Sequence, residues 1–182
     1  MSTPHLEKEY KVLINARQYE EITSQLSISP ILQINHYYDT SLQNCAARIR
    51  EEQDGIFFTL KIKNGEFHDE YEFSLSEVDI EDDKVKSLLT ELSIHSLTYL
   101  GDLKNLRYVL PKDKGEICID KSTYFGHTDF ELEYELYDPS YQDEEFIAFL
   151  QENRIPYIRN FSGKFARFLR KKAEKERYDV LK

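Results

Sequence analysis

The chain has 182 residues, with 24 Lys and Arg against 34 Asp and Glu, so its formal net charge is −10. This length predicts a single domain over residues 1–182 with room for a sizeable core. A hydrophobic share of 40% and an aromatic share of 13% are typical of a folded chain rather than a disordered one. The excess of acidic residues argues against general nucleic-acid binding.

Membrane and secretory signals are missing from the sequence. No apolar run approaches the ~20 residues that span a bilayer, so no membrane partner is expected. The N-terminal segment lacks the apolar stretch of a signal peptide. The two cysteines, Cys45 and Cys118, cannot form a disulfide framework or a four-thiolate metal site. These features together predict a cytoplasmic protein.

Alternation of apolar and polar residues with period 2 predicts strands along most of the chain. Eight strands are predicted, at residues 5–14, 31–40, 46–52, 56–63, 66–75, 98–110, 116–124 and 128–137. The dipeptides Asp54-Gly55 and Asn64-Gly65 are tight-turn signals between consecutive strands. Because hairpins join antiparallel neighbours, the sheet is predicted to be largely antiparallel.

Four amphipathic helices are predicted between and after these strands. The first follows Asn15, which has Gln18 three residues later in the spacing of a capping box. Apolar residues at helical spacing mark the second over 85–92. The third is expected to open at Asp138-Pro139, and the fourth follows Ser162.

The polar faces of the strands group charges of one sign strand by strand. Acidic groups dominate the first, fifth and eighth strands, and basic groups dominate the third and fourth. An ordinary solvent-exposed face mixes in neutral residues and alternates the signs across strands. The charged residues on these faces are Glu7, Glu9, Lys11, Arg48, Arg50, Lys61, Lys63, Glu70, Glu72, Arg107, Asp120, Glu131, Glu133 and Glu135.

Two interpretations of these faces are compatible with the pattern. They are the wet side of an open antiparallel sheet, or they line the lumen of a closed eight-stranded barrel whose apolar faces lie under the helices. Since charges are rarely buried without partners, such a lumen would hold a polyanion and metal ions. Carboxylates suit Mg²⁺ or Mn²⁺, and Arg and Lys suit phosphate oxygens. Neither GxxxxGK[ST] nor GxGxxG occurs in the chain.

The segment Glu7-Lys8-Glu9-Tyr10-Lys11 resembles the ExExK signature of the CYTH proteins, the triphosphate tunnel metalloenzymes. The resemblance extends over nearly the whole chain. It continues in order through Tyr37-Tyr38-Asp39-Thr40, Arg48-Ile49-Arg50, Leu60-Lys61-Ile62-Lys63, Glu70/Glu72, Arg107, Asp120, the Glu-rich strand and Ser162-Gly163-Lys164-Phe165-Ala166-Arg167. It implies an α+β fold, an eight-stranded antiparallel β-barrel tunnel with amphipathic helices packed outside.

The resemblance also implies the roles of the charged residues. One or two Mg²⁺ or Mn²⁺ ions would be held by a subset of Glu7, Glu9, Glu72, Asp120, Glu131, Glu133 and Glu135. The triphosphate would be held by Lys11, Arg48, Arg50, Lys61, Lys63, Arg107, Lys164 and Arg167. The residues expected to be catalytic are Glu9, Lys11 and Arg50.

Several assignments within this set stay open. Two of the three alternating glutamates would bind metal, with Glu133 and Glu135 preferred over Glu131, and Glu72 is preferred over Glu70. Asp120 would support either the basic residues or a second metal. Arg167 would contact either phosphate or, alternatively, a glutamate or the end of the helix. The five histidines are expected on the surface or in loops.

The function predicted by the resemblance is metal-dependent hydrolysis of inorganic triphosphate or a small organic triphosphate. The alternatives are a class IV-type adenylate cyclase, a thiamine triphosphatase, a non-catalytic binder of polyphosphate or nucleoside triphosphates, and a structural β domain without a ligand. A monomer or a homodimer is expected, with a small-molecule substrate and no nucleic-acid partner.

Overall fold

The computed structural model describes residues 2–182, which form nine strands and four helices. The strands are β1 His5–Glu7, β2 Glu9–Ile14, β3 Ile31–Asp39, β4 Cys45–Glu52, β5 Gly55–Asn64, β6 Phe67–Leu75, β7 Thr98–Pro111, β8 Gly115–Tyr124 and β9 His127–Leu136. The helices are α1 Ala16–Thr23, α2 Asp83–Glu91, α3 Glu144–Glu152 and α4 Lys164–Val180. Within residues 2–182, no helix is both long and apolar enough to cross a membrane.

All nine strands belong to one antiparallel sheet in the order β1-β6-β5-β4-β3-β7-β8-β9-β2. The two edge strands, β1 and β2, are consecutive in the chain and only Lys8 separates them. The chain therefore joins the two edges of the sheet, and the sheet forms a nearly closed barrel.

The predicted barrel is confirmed, but the predicted count of eight strands was wrong by one. The expected first strand is divided at Lys8, because the chain changes its partner there. Glu7 lies opposite His68 of β6, whereas Glu9 lies opposite Glu135 of β9.

Two of the three apolar clusters lie outside the barrel, between the strands and the helices. Residues of α1 and α3, including Ile22 and Phe146, pack with the outer faces of β2, β8 and β9. Val85 and Leu88 of α2 pack with β4 and β5. Because strand side chains alternate between faces, this packing turns the charged faces inward.

The third cluster lies on the inward faces of the strands. In it, Phe168 of α4 packs with Tyr37 of β3 and Tyr124 of β8. Tyr37 lies opposite Arg48 in the pairing of β3 with β4 and lines the same cavity as Arg48.

The helix starts follow local hydrogen bonding. The predicted capping box is present, since the Gln18 backbone N–H donates to Asn15 Oδ1 at 2.8 Å and the Asn15 N–H donates to Gln18 Oε1 at 2.9 Å. The predicted start of the third helix was wrong. Asp138 instead forms a turn, accepting the Ser140 N–H on its side chain at 2.8 Å and the Tyr141 N–H on its carbonyl at 3.1 Å.

Candidate functional site

The interior of the barrel contains a cavity of about 990 Å³. Twelve of the residues predicted for the site line it: Glu7, Glu9, Lys11, Arg48, Arg50, Lys61, Lys63, Glu72, Arg107, Glu133, Glu135 and Lys164. The other three, Asp120, Glu131 and Arg167, do not line the cavity and are buried in its wall. The structure thus gathers residues from both ends of the chain around one charged chamber.

Arg48 and Arg50 of β4, here called the guanidinium pair, face the cavity without a carboxylate partner. Within residues 2–182, no Asp or Glu oxygen lies within 4.0 Å of either guanidinium. Arg50 Nε donates to Asn35 Oδ1 at 2.8 Å, and the buried Arg48 Nε has no hydrogen-bond partner. Burial, together with the positive charges of Arg48 and Arg107, lowers the pKa of Arg50 to about 10. A polyanion would supply the missing partner.

Two lysines on neighbouring walls bind the N-terminal glutamates. Lys61 Nζ lies 2.6 Å from Glu7 Oε1 and 3.1 Å from Glu70 Oε2. Lys11 Nζ lies 2.8 Å from Glu9 Oε1 and 3.7 Å from the next carboxylate, that of Glu133. Burial opposes the charge of both lysines, but these carboxylates outweigh it and raise the pKa of each. Both side chains are therefore cationic at neutral pH.

Asp120, Glu131 and Glu133, here called the carboxylate cluster, are held by cations from two other elements. Lys164, at the first turn of α4, places Nζ 2.6 Å from Asp120 Oδ2 and 2.9 Å from Glu131 Oε1, and it also contacts Glu133. Arg107 of β7 donates through Nε and Nη2 to both oxygens of Asp120, at 2.8 and 2.6 Å, and through Nη2 to Glu133 at 2.6 Å. Burial opposes ionisation of Glu133, but Lys164 and Arg107 hold its pKa well below the ordinary value.

Arg167 lies one turn beyond Lys164 and contacts carboxylates. Its Nε donates to Asp129 Oδ2 at 2.9 Å and its Nη1 donates to Glu131 Oε2 at 2.8 Å. Asn160, which the sequence pattern did not single out, donates to the same Glu131 oxygen at 3.1 Å. These contacts fasten the start of α4 to the wall of the barrel.

Within residues 2–182, two groups of side chains have the spacing that a metal ion needs: Glu7, Glu9 and His68, and the carboxylate cluster. The carboxylate cluster is already contacted by Lys164, Arg107 and Arg167. In the first group, His68 Nδ1 is buried and has no hydrogen-bond partner in the described part of the chain, so one nitrogen and the carboxylates offer a donor set that fits a divalent cation. Burial lowers the pKa of His68.

Glu72 and Glu135 belong to neither of these groups. Glu72 Oε2 accepts a hydrogen bond from Thr59 Oγ1 at 3.0 Å. Among residues 2–182, no cation lies within 4.0 Å of Glu135, and burial and the nearby charge of Glu7 raise its pKa to about 7. Glu70, ranked below Glu72 from the sequence, is the one of the two that contacts Lys61.

The expectation of a surface or loop position was wrong for His68. Its side chain lies in β6 and lines the cavity. A signal for this position was present in the sequence, because His68 precedes Glu70 and Glu72 with the same period of 2 and must share their face. A single histidine in a strand is, however, a weak indication of a binding site when it is taken alone.

Apolar side chains mark the mouth of the cavity. Leu42, Phe161 and Leu169 line it and are exposed to solvent, with Phe161 81% exposed. The guanidinium of Arg159 lies 4.9 Å from the ring centroid of Phe161 and 4.6 Å from that of Tyr10. The charged chamber therefore opens through a rim that is less polar than its walls.

Comparison with known proteins identifies relatives of the chain. "Putative triphosphatase YjbK" of Bacillus subtilis (strain 168) is 30% identical over 92% of this chain and 96% of its own length. A "putative adenylate cyclase" of Bacillus halodurans has a crystal structure with a TM-score of 0.76 and 28% identity, over 92% of this chain and 99% of that one.

A second structure supports the fold alone. It is the "putative adenylyl cyclase HpAC1" of Hippeastrum, described with a dominant triphosphatase activity. Its TM-score is 0.70 at 22% identity, over 90% of this chain and 94% of that one.

The CYTH domain matches residues 5–168, which span the strands, the charged residues that line the cavity and the start of α4. The chain belongs to the CYTH domain family.

Proposed function

We propose that the protein is a divalent-metal-dependent triphosphatase that acts on inorganic triphosphate or a small compound with a free triphosphate end. The guanidinium pair carries this proposal, because two half-buried cations that have no carboxylate partner among residues 2–182 call for an anion of high charge. The relative of Bacillus subtilis at 30% identity, named as a triphosphatase, supports the same activity.

In the proposed mechanism, Arg48 and Arg50 hold phosphate oxygens from one wall of the chamber, and Lys61 and Lys63 add positive charge from the next strand. Glu7 and Glu9 would hold the Mg²⁺ or Mn²⁺ ion. When bound, the cation would neutralise phosphate charge and lower the pKa of a coordinated water. Lys11 would keep the Glu9 side chain oriented through its 2.8 Å contact.

The barrel wall contributes rigidity to this arrangement. Asp120 and Glu133 fix Arg107 through three contacts of 2.6–2.8 Å, so its guanidinium is held in place before a substrate arrives. Phosphoryl transfer depends mainly on such positioning and on charge stabilisation. Neither a metal role for the carboxylate cluster nor a substrate contact for Lys164 and Arg167 is needed by this mechanism, and both stay predictions.

The test is phosphate release from inorganic triphosphate, with ATP in parallel, under Mg²⁺ and then Mn²⁺. The variants Glu9→Gln and Arg50→Ala should each reduce turnover by ~10²-fold or more, because each removes a charged group from the chamber. Arg17→Ala and Glu21→Gln are matched controls, since these residues form a 2.8 Å ion pair on the outer surface of α1. Near-normal rates in both chamber variants, with the folded state intact, would overturn the proposal.

A cyclase is the second candidate, because the relative of Bacillus halodurans at 28% identity is named as an adenylate cyclase. A cyclase would release pyrophosphate and cyclic AMP from ATP and leave inorganic triphosphate intact. A binder would do neither, and it would still be stabilised against heat by triphosphate. The single-domain organisation, the cytoplasmic location, the monomeric or dimeric state and the lack of a nucleic-acid partner stay predictions.

A further inference from the structure

His68 occupies a position in the barrel where it and the N-terminal glutamates Glu7 and Glu9 can bind the same cation. It lies directly opposite Glu7 in the pairing of β1 with β6. His68 Nδ1 is 3.8 Å from Glu7 Oε2, which is beyond hydrogen-bond distance. Glu9 follows Glu7 across the strand break at Lys8, and ligand atoms of all three residues lie within 4.8 Å of one another.

We propose that His68, through Nδ1, is a third protein ligand of the divalent cation held by Glu7 and Glu9, and that the site therefore prefers Mn²⁺ to Mg²⁺. The inference rests on the proposed function only in so far as both place a cation at Glu7 and Glu9. Two atoms on opposite sides of one cation with bonds of about 2.1 Å are about 4.2 Å apart, so the present 3.8 Å spacing needs to widen by only a few tenths of an ångström.

The unpartnered nitrogen is the observation that points to a ligand. His68 Nδ1 is buried and neither donates nor accepts a hydrogen bond. A buried polar atom without a partner costs free energy, and most such atoms in proteins find a hydrogen bond, a water or a metal ion. The atom faces the Glu7 carboxylate across the 3.8 Å gap, so a cation between them would satisfy both.

The lysines that now contact these glutamates can retain partners when a cation binds. Lys61 lies against Glu7 but has Glu70 as a second acceptor at 3.1 Å. Lys11 lies against Glu9 and has Glu133 at 3.7 Å. Loss of the Glu7 and Glu9 contacts would therefore not leave either ammonium isolated in the chamber.

The donor types decide which cation the site prefers. Mg²⁺ favours oxygen ligands and near-ideal octahedral geometry, whereas imidazole nitrogen suits transition metals better. The carboxylate cluster offers only oxygens, and those are already contacted by Lys164 and Arg107. The group of Glu7, Glu9 and His68 therefore suits a transition metal better than the carboxylate cluster does. It includes an imidazole nitrogen, and that nitrogen has no other partner in the described part of the chain.

The experiment measures cation binding to the full chain without substrate. The metal-free protein is titrated with Mn²⁺ alone or Mg²⁺ alone, and electron spin-echo spectra of bound Mn²⁺ are recorded for protein containing ¹⁴N- or ¹⁵N-labelled histidine. The wild type should bind Mn²⁺ at least about tenfold more tightly than Mg²⁺. Its spectrum should show coupling to a histidine nitrogen that changes with the isotope.

The variant His68→Gln replaces the nitrogen by an amide of similar size. It should lose the histidine coupling and about tenfold in Mn²⁺ affinity, with Mg²⁺ affinity changed by less than about threefold. His95→Gln is the matched control, because His95 is exposed in the segment between α2 and β7, and it should behave as the wild type. A wild-type spectrum without histidine coupling would overturn the inference without reliance on any variant.

The failure of this inference and the failure of the proposed function have different signatures. Hydrolysis of triphosphate by a protein whose bound Mn²⁺ shows no histidine coupling would refute the role of His68 and leave the triphosphatase proposal standing. Histidine-coupled Mn²⁺ in a protein that hydrolyses neither triphosphate nor ATP would support the ligand set and refute the proposed activity.

Discussion

The carboxylate cluster and the guanidinium pair lie on different walls of the same chamber. They differ in whether their charged groups contact groups of opposite charge. In the cluster, Asp120, Glu131 and Glu133 each contact Lys164 directly. In the pair, neither Arg48 nor Arg50 has a carboxylate partner within 4.0 Å among residues 2–182. Paired charges of this kind hold an element in place, whereas unpaired ones are available to a ligand. The comparison thus separates residues that hold the barrel wall together from residues that we propose bind the substrate.

The largest expected effect is on the paired wall. Lys164→Met should lower the free energy of unfolding by about 3–5 kcal/mol, because it leaves buried carboxylates without their ammonium partner. Urea denaturation in EDTA measures the loss. The matched control is Lys86→Met, which breaks an exposed 2.8 Å pair with Glu81 and should leave the free energy of unfolding nearly unchanged. Equal losses in the two variants would refute the structural role assigned to the cluster.

Glu135 provides a test through pH, because its pKa in the folded state is raised to about 7 from an ordinary value of 4.5. Between these values the folded state holds a proton that the unfolded state has released, so stability falls as the pH rises through this window. Glu135→Gln should remove that fall and exceed the wild type in stability by about 1–3 kcal/mol at pH 8. The two proteins should be similar at pH 4.5. The measurement is denaturation in EDTA across this pH range. If the free energies of unfolding of the two proteins fell in parallel with pH, Glu135 would not be the cause of the fall.

Substitution in the guanidinium pair should change stability little but weaken the binding of triphosphate strongly. Arg50→Met should change the free energy of unfolding by about 1 kcal/mol or less, since it loses only the hydrogen bond to Asn35 and relieves repulsion from Arg48. The rise in melting temperature that inorganic triphosphate gives the wild type should disappear. Arg17→Met, on the outer surface, should retain it. A stability loss as large as that of Lys164→Met would remove the contrast between the walls.

The smallest effect should come from a paired charge outside the chamber. His36 hydrogen-bonds Asp102 through Nδ1 and Glu51 through Nε2, each at 2.7 Å. Burial opposes protonation, but these two carboxylates outweigh it and raise the pKa of His36. The stabilisation is therefore complete below the ordinary pKa of histidine and is lost as the pH rises through the raised value.

His36→Gln should lose less than about 1 kcal/mol at pH 5.5, because the carboxylate partners are substantially exposed. At pH 9 it should differ little from the wild type. Denaturation at the two pH values measures the difference, and a loss that grows at high pH would contradict the assigned direction of the pKa shift.

Much of the chamber could be predicted from local pattern. The period of 2 places Arg48 and Arg50 on one face, and the same argument applies to Glu131, Glu133 and Glu135, so the cavity lining followed once the sheet was known to close. The same reasoning would have found His68. The division of the first strand at Lys8 could not be predicted, because it depends on the exchange of β6 for β9 as the neighbour.

The order of the residues along each strand fixes the side that each charged residue occupies, because side-chain alternation is a property of the local backbone. Which charges meet depends on the folded barrel. Lys164 reaches Glu131 from 33 positions along the chain because α4 begins at the chamber, and Arg48 and Arg50 are left without carboxylates by the register of the neighbouring strands. Partner choice depends on barrel closure and strand register, which are set by long-range packing.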